Sequence, residues 1–263
     1  MATIKAMWGL SSDFLFAHVP KPKGVFVAGA ELEVEDVQDW SRNGLAELEI
    51  KSTEDGSLRN NGKEFLLPPS TKPELLDRFY RFHRDVLMVG EAPFSARTST
   101  HVHVNMQQST DAQAKNFLLL YAIFEPLAFA FVGDQRQQNI HCVPLGYTHM
   151  PSYYKLNLTT IVSKWHKYTA FNLLPLVEKG TVEFRHLEGT ADVGRFSTWL
   201  SFIETLWYTA HKMKDFSVET LTDLTVLRSV EKQLHTPEFH RQCVNNPAFT
   251  LEDNLLDVKL AFV

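Results

Sequence analysis

Apolar and polar positions alternate along residues 24–37, with Leu32 and Val34 on one side of an extended chain and Glu31, Glu33 and Glu35 on the other. A less regular alternation over 44–51 carries Leu45, Leu48 and Ile50 and reads as a second strand. Residues 54–57, Glu-Asp-Gly-Ser, read as a turn, and 62–67 as the strand that returns from it. After Lys72 the spacing becomes helical: Leu75, Leu76, Phe79, Phe82, Val86 and Leu87 share a face, and Ser70-Thr71 with Pro73 marks the start.

Strict alternation comes back at 100–106, and Ser109-Thr110-Asp111 then opens a long helix through Val132, in which Pro126 is expected to introduce a kink. Residues 133–160 are irregular and polar, with Arg136, His141, His149, Tyr153 and Tyr154. A loop of that length inside one domain is commonly functional, and it is the candidate lid. A strand at 180–187 precedes an amphipathic helix over about 193–214, with Phe196, Leu200, Ile203, Leu206 and Trp207 on one face. Residues 217–263 read as helical. With no repeat, linker or low-complexity tract, the 263 residues predict one α+β domain, its motifs within about 25–210 and a helical extension from about 215.

Composition narrows the function classes. A hydrophobic share of 44% with 22% charged residues is that of a folded globular chain. A net charge of −5 argues against general nucleic-acid binding, though not against a local basic pocket. Cys142 and Cys243 make neither a disulfide framework nor a zinc knuckle and read as reduced, packed thiols. The opening MATIKAMWGL has no basic region followed by an apolar run, so no signal peptide is expected. The most apolar stretch, 117–132, is short for a bilayer and contains Glu125 and Pro126, so a buried helix and a cytoplasmic protein without membrane attachment are expected.

Four groups of residues can carry chemistry. Glu31 and Glu33 lie on one face of a strand; there they are either solvated or, in a cleft, partners for a divalent cation such as Mg2+ or Mn2+. His101, His103 and Asn105 form a row on the 100–106 strand, one wall of a polar cleft or a half-exposed strand. A zinc site there lacks a clear third close ligand, and no HExxH is present. Glu183 and Arg185 share a face, either as a simple ion pair or with Glu183 on a metal and Arg185 on a phosphate or carboxylate. Glu64, alone, reads as solvated. Phosphate loops, dinucleotide fingerprints and the GxSxG elbow are all missing, so any nucleotide would be held through metals and arginines.

In this order the segments GAELEVE (29–35), DGSLRNNGKEF (55–65), STHVHVN (99–105), KYTAFNL (167–173) and GTVEFRHLEGT (180–190) resemble the amidoligase family of the glutamine synthetase-like superfamily, found in phages and bacteria. The resemblance covers roughly 25–210. It implies a glutamine synthetase-like catalytic fold, an antiparallel curved sheet flanked by helices. It also implies an ATP-dependent carboxylate–amine ligase acting through an acyl phosphate on amino-acid, peptide or polyamine substrates.

Residue by residue, it implies that Glu31, Glu33, Glu64 and Glu183 bind magnesium. His101 and His103 would lie near metal and ATP phosphates, and Arg185 on the phosphates. Arg136 falls where the family tends to carry an arginine and would join Arg185 in binding the nucleotide phosphates, and Lys167, Tyr168 and Asn172 match a segment without an assigned role. His103, a loop carboxylate or the substrate phosphate is implied as proton acceptor for the amine. Thr98-Ser99-Thr100 stands where the family commonly has Cys-Gly before the HxH strand, a departure expected to leave the chemistry unaffected. The ammonia-site segments of glutamine synthetase are missing, so free ammonia is not implied as the amine. The rivals are a metal-dependent hydrolase or phosphoryl or guanidino transferase on the same fold, a zinc enzyme, and a degenerate, non-catalytic binding protein.

Overall fold

Six strands form one wholly antiparallel, curved sheet. In the computed structural model, residues 2–11, 15–147, 155–213, 223–245 and 249–262 are described. In chain order the strands are β1 (Ala28–Val34), β2 (Val37–Trp40), β3 (Lys51–Glu54), β4 (Lys63–Ser70), β5 (Leu87–Val89), β6 (Ser99–Asn105), β7 (Phe171–Asn172) and β8 (Thr181–Glu188). The sheet order is β3-β4-β1-β6-β8-β7, and β2 pairs with β5 apart from it. The expected α+β architecture is present.

Alternation divides the sheet into two faces, as the period of two requires. Leu32, Val34, Phe65, Val102, Val104, Val182 and Phe184 are buried on one face. Helices cover it: α3 (Lys72–Arg81), α4 (Asp111–Val132) and α7 (Val193–Lys212). The other face carries the acids and imidazoles. Gly29 sits where β1 approaches β4 closely, since a Cβ there would lie 2.9 Å from the Leu67 carbonyl oxygen. Pro68 and Pro69 are tolerated within β4 because β3 has already ended and the pairing with β1 is irregular between Ala28 and Ala30.

Most expected elements stand within a few residues of their sequence boundaries. Residues 44–51 do not form the expected strand. They complete α2 (Arg42–Glu47) and lead into β3. Ser41 caps that helix by accepting from the Gly44 N–H at 3.0 Å. Leu45 and Leu48 then reach the core one helical turn apart, a spacing that an imperfect alternation mimics.

Helix α4 continues through Pro126. Its 22 residues are long and apolar enough to cross a membrane by composition alone, yet 94% of its apolar window is buried inside the protein. Glu125 is a carboxylate within this apolar helix, and burial pushes it up to about 7. It accepts hydrogen bonds from the Tyr121 hydroxyl at 2.5 Å and from the Leu145 and Gly146 N–H groups at 2.6 and 3.4 Å.

The described residues of the 133–160 stretch carry regular structure. They contain α5 (Asp134–Gln137), a 3-10 turn at Leu145–Tyr147 and α6 (Leu158–Ser163). The Val143 N–H donates to the Tyr168 carbonyl and the Ala170 N–H to the Val143 carbonyl, each at 2.8 Å. His149, Tyr153 and Tyr154 lie outside the described residues. The helical reading of the C-terminal part holds for α8 (Leu224–Leu234), α9 (Pro237–Gln242) and α10 (Leu251–Phe262). Cys142 is buried and Cys243 half-buried, and both are free thiols.

Candidate active site

Strand register brings the polar residues together. Glu31 pairs with His101, Glu33 with Glu64, His103 with Glu183, and Asn172 with Glu183. Side chains opposite one another in a ladder are neighbours, so residues far apart in sequence become one row. Glu33, His101, Asn105, Asn172 and Glu183 are buried, and Glu31, Glu64 and His103 half-buried, so the solvated-face readings do not hold.

The acids form two adjoining groups rather than one. Glu31, His103 and Glu183 bring ligand atoms within 4.8 Å of one another, and Glu33, Asp55 and Glu64 do the same. Asp55 was not among the residues singled out from the sequence. Its signal was the turn itself, where its carboxylate accepts from the Ser57 N–H at 2.7 Å and so holds the turn beside the sheet.

In the first group, Glu31 Oε1 lies 2.9 Å from His103 Nε2 and Glu31 Oε2 3.5 Å from His101 Nδ1. Glu183 Oε1 lies 3.3 Å from His101 Nδ1 and accepts from Arg185 Nη1 at 2.5 Å. Its second oxygen accepts from Asn172 Nδ2 at 2.7 Å. Burial alone would raise both carboxylates. Next to His103 and His101 Glu31 is instead held well below the usual range, with help from Lys179, and Glu183 is also lowered, with help from Arg185.

Supporting contacts orient these groups. Thr181 Oγ1 lies 3.0 Å from His103 Nδ1, and the Ser99 hydroxyl donates to Glu33 at 2.6 Å and lies 2.7 Å from His101 Nε2. Ser99, of the Thr98-Ser99-Thr100 triplet, thus touches two site groups.

The donor chemistry fits a divalent cation. His103 Nε2 is buried and lies 2.9 Å from Glu31 Oε1, with Glu183 close by, so an imidazole nitrogen and two carboxylates stand near enough to share one ion. The second group is all oxygen, the preference of Mg2+ and Mn2+. Burial, then the charges of Glu31, Glu33 and Asp55, push Glu64 up to about 8, and a cation would remove that repulsion.

Between its usual range and about 8, Glu64 holds a proton in the folded chain that the unfolded chain releases. Its contribution to stability is therefore full at low pH and is lost as pH rises through about 8. A cation needs the ionised form. Mg2+ is thus expected to raise the unfolding midpoint more at about pH 8.5 than at about pH 6.5, with the difference shrinking in Glu64→Gln. Equal shifts at both pH values in calorimetric scans would remove Glu64 from the ligand set.

Arg136 is buried. It donates through Nε to the His186 carbonyl at 2.7 Å and through Nη2 to the Arg185 carbonyl at 2.6 Å, so it braces β8. Arg185 Nε donates to the His141 carbonyl at 2.9 Å.

Two cavities meet the acidic row. One is an apolar slot of about 190 Å³ beside Gly29, Glu31 and His103, walled by Leu15, Phe16, Leu66, Leu67 and Pro69. At its edge the half-exposed Lys179 reaches Glu31 Oε1 at 3.2 Å, a residue the sequence reading missed because no motif marks it. The other is a cleft of about 560 Å³ beside Glu33, Asp55 and His101, lined also by Arg97, Arg136, Lys167 and Arg185.

Fold and site together define an antiparallel-sheet protein with paired acidic clusters on its polar face. The chain matches no family model and no curated protein. Among solved structures, a GmaS/ADP complex in conformation 1 is similar at 13% identity and a TM-score of 0.44, over 90% of this chain and 68% of that one. That degree of likeness carries no weight for residues or chemistry.

Proposed function

We propose that this protein is an ATP-dependent carboxylate–amine ligase, which activates an acid as its acyl phosphate and transfers the acyl group to an amine. One observation carries the reading. Two ligand sets, Glu31–His103–Glu183 and Glu33–Asp55–Glu64, adjoin on one sheet face with Arg185 beside them. Paired cation sites next to an arginine suit phosphoryl transfer, which needs charge neutralisation more than acid–base chemistry. Glu31, His103 and Glu183, and Glu33, Asp55 and Glu64, would hold Mg2+ or Mn2+, which would supply charge neutralisation for the phosphates.

The chain's own groups take distinct roles. The apolar slot accepts the flat base of the nucleotide, and the phosphates run past His103 and Lys179 towards the acidic row. The basic cleft accepts the acid. Arg185 presents its planar fork to the transferring phosphoryl group, and Arg136 holds the strand behind it. His101 sets the orientation of the carboxylates it touches. Free thiols and a nucleotide substrate fit a reducing, cytoplasmic setting.

Hydroxylamine traps acyl phosphates as hydroxamates, which makes the test direct. Hydroxamate is expected from a panel of carboxylic acids only with both ATP and Mg2+ present. Arg185→Lys is expected to lower its rate about a hundredfold, because an ammonium cannot give the bidentate contact. Cleavage of the matching amides or esters without ATP would instead favour a metal-dependent hydrolase, and no ADP release with any acid would end the ligase reading.

A further inference from the structure

The chain carries a net charge of −5, yet its largest cavity beside the acidic row is basic. Four cations line that cleft: Arg97, Arg136, Lys167 and Arg185. Among the described residues that line it, Glu33 and Asp55 are the acids that oppose them, and both belong to the second ligand group. A cation held by that group leaves the cleft strongly positive towards an incoming ligand.

The four cations are not equivalent. Arg136 is committed to β8 carbonyls, and Arg185 to Glu183 and the His141 carbonyl. Arg97 and Lys167 are exposed and have no acidic partner among the described residues. Arg97 donates to the Ser57 carbonyl at 3.2 Å, on the turn that joins β3 to β4. Lys167 stands at the opposite flank of the sheet, just before β7, with its Nζ 5.1 Å from the Tyr168 ring centre.

Tyr168 packs edge-on against His141 at 4.8 Å, and neighbouring Ile140 is 73% exposed, so an aromatic and apolar wall accompanies the rim charges. A cleft of about 560 Å³ with charges at both flanks is larger than one short acid fills.

We propose that the acid taken by this site is a peptide-sized polyanion: one carboxylate is activated at the acidic row, and a further anionic group is read by Arg97 and Lys167. An acidic peptide has this chemistry. The inference rests on the ligase reading for the fate of the first carboxylate, and on the cleft alone for recognition of the second anion. Arg97 and Lys167 act as specificity-determining residues. Exposed side chains of this kind steer and select charged ligands without holding the fold together.

The test compares α-linked triglutamate with butyrate in the hydroxamate assay, alongside calorimetric titration of triglutamate into the Mg2+-loaded protein. Triglutamate is expected to show a KM about tenfold below that of butyrate, and Arg97→Ala or Lys167→Gln to raise it about tenfold. The Kd for Mg-ATP, measured on the same variants, is expected to stay unchanged. Equal KM values for the two acids, or variants that leave triglutamate unaffected, overturn the proposal. So does a Kd for Mg-ATP that weakens in step, since the two cations then serve the nucleotide. Triglutamate that binds through both residues but yields no hydroxamate removes the ligase reading and leaves the anion site standing.

Discussion

Glu183→Gln is expected to reduce ATP turnover about a thousandfold or more while leaving the fold intact. The carboxylate stands at the centre of the first ligand group. One oxygen faces His101 at 3.3 Å and Arg185 at 2.5 Å, and the other takes Asn172 at 2.7 Å. Glutamine keeps the shape but removes the charge that would bind a cation. Losing the carboxylate leaves Arg185 without its counter-charge, so some stability is lost, but Arg185 is partly exposed and keeps the His141 carbonyl, and the sheet is held by its apolar face, so the fold persists. Steady-state ADP release, read beside circular dichroism of the same preparation, checks both halves. Wild-type turnover with an unchanged spectrum would take Glu183 out of the site.

The second large effect lies in the core. Trp199→Ala is expected to cost about 3–5 kcal/mol, the range for truncating a fully buried large aromatic. Trp199 is wholly buried between the sheet and the helices. Its ring stacks on Phe131 at 5.6 Å and on Phe202 at 5.4 Å, and meets Phe184 of β8 edge-on at 6.1 Å. Phe184 is the neighbour of both Glu183 and Arg185, so this packing also sets the strand that presents them. A midpoint drop of roughly 10 °C is expected in thermal unfolding. A cost below about 1 kcal/mol in denaturant titration would show that α7 is packed only loosely on the sheet.

Several parts of the site were legible in the sequence. Alternation at 31–34, 101–105 and 182–185 named the polar face of three strands, and those strands pair as neighbours in the structure. The helices at 72–81, 111–132 and 193–212 were also readable, because long stripes of periodic apolar residues specify an element strongly. The strand expected at 44–51 was not there. A run of eight residues with Leu45, Leu48 and Ile50 satisfies both periods, and the cap at Ser41 decided for helix. Asp55 and Lys179 were missed because a turn acid and a loop lysine have no periodic signature.

The sequence by itself determined which residue types share a face of each strand and helix, because side-chain direction follows from local backbone geometry. Only the tertiary structure decided that Glu31 and Glu33 join different groups, that Asp55 completes the second, and that Arg136 braces β8. It also decided that the charged rim of the cleft stands on opposite flanks of the sheet. These are matters of strand order, register and loop anchoring, which arise from contacts between residues distant along the chain and leave no trace in any short window of it.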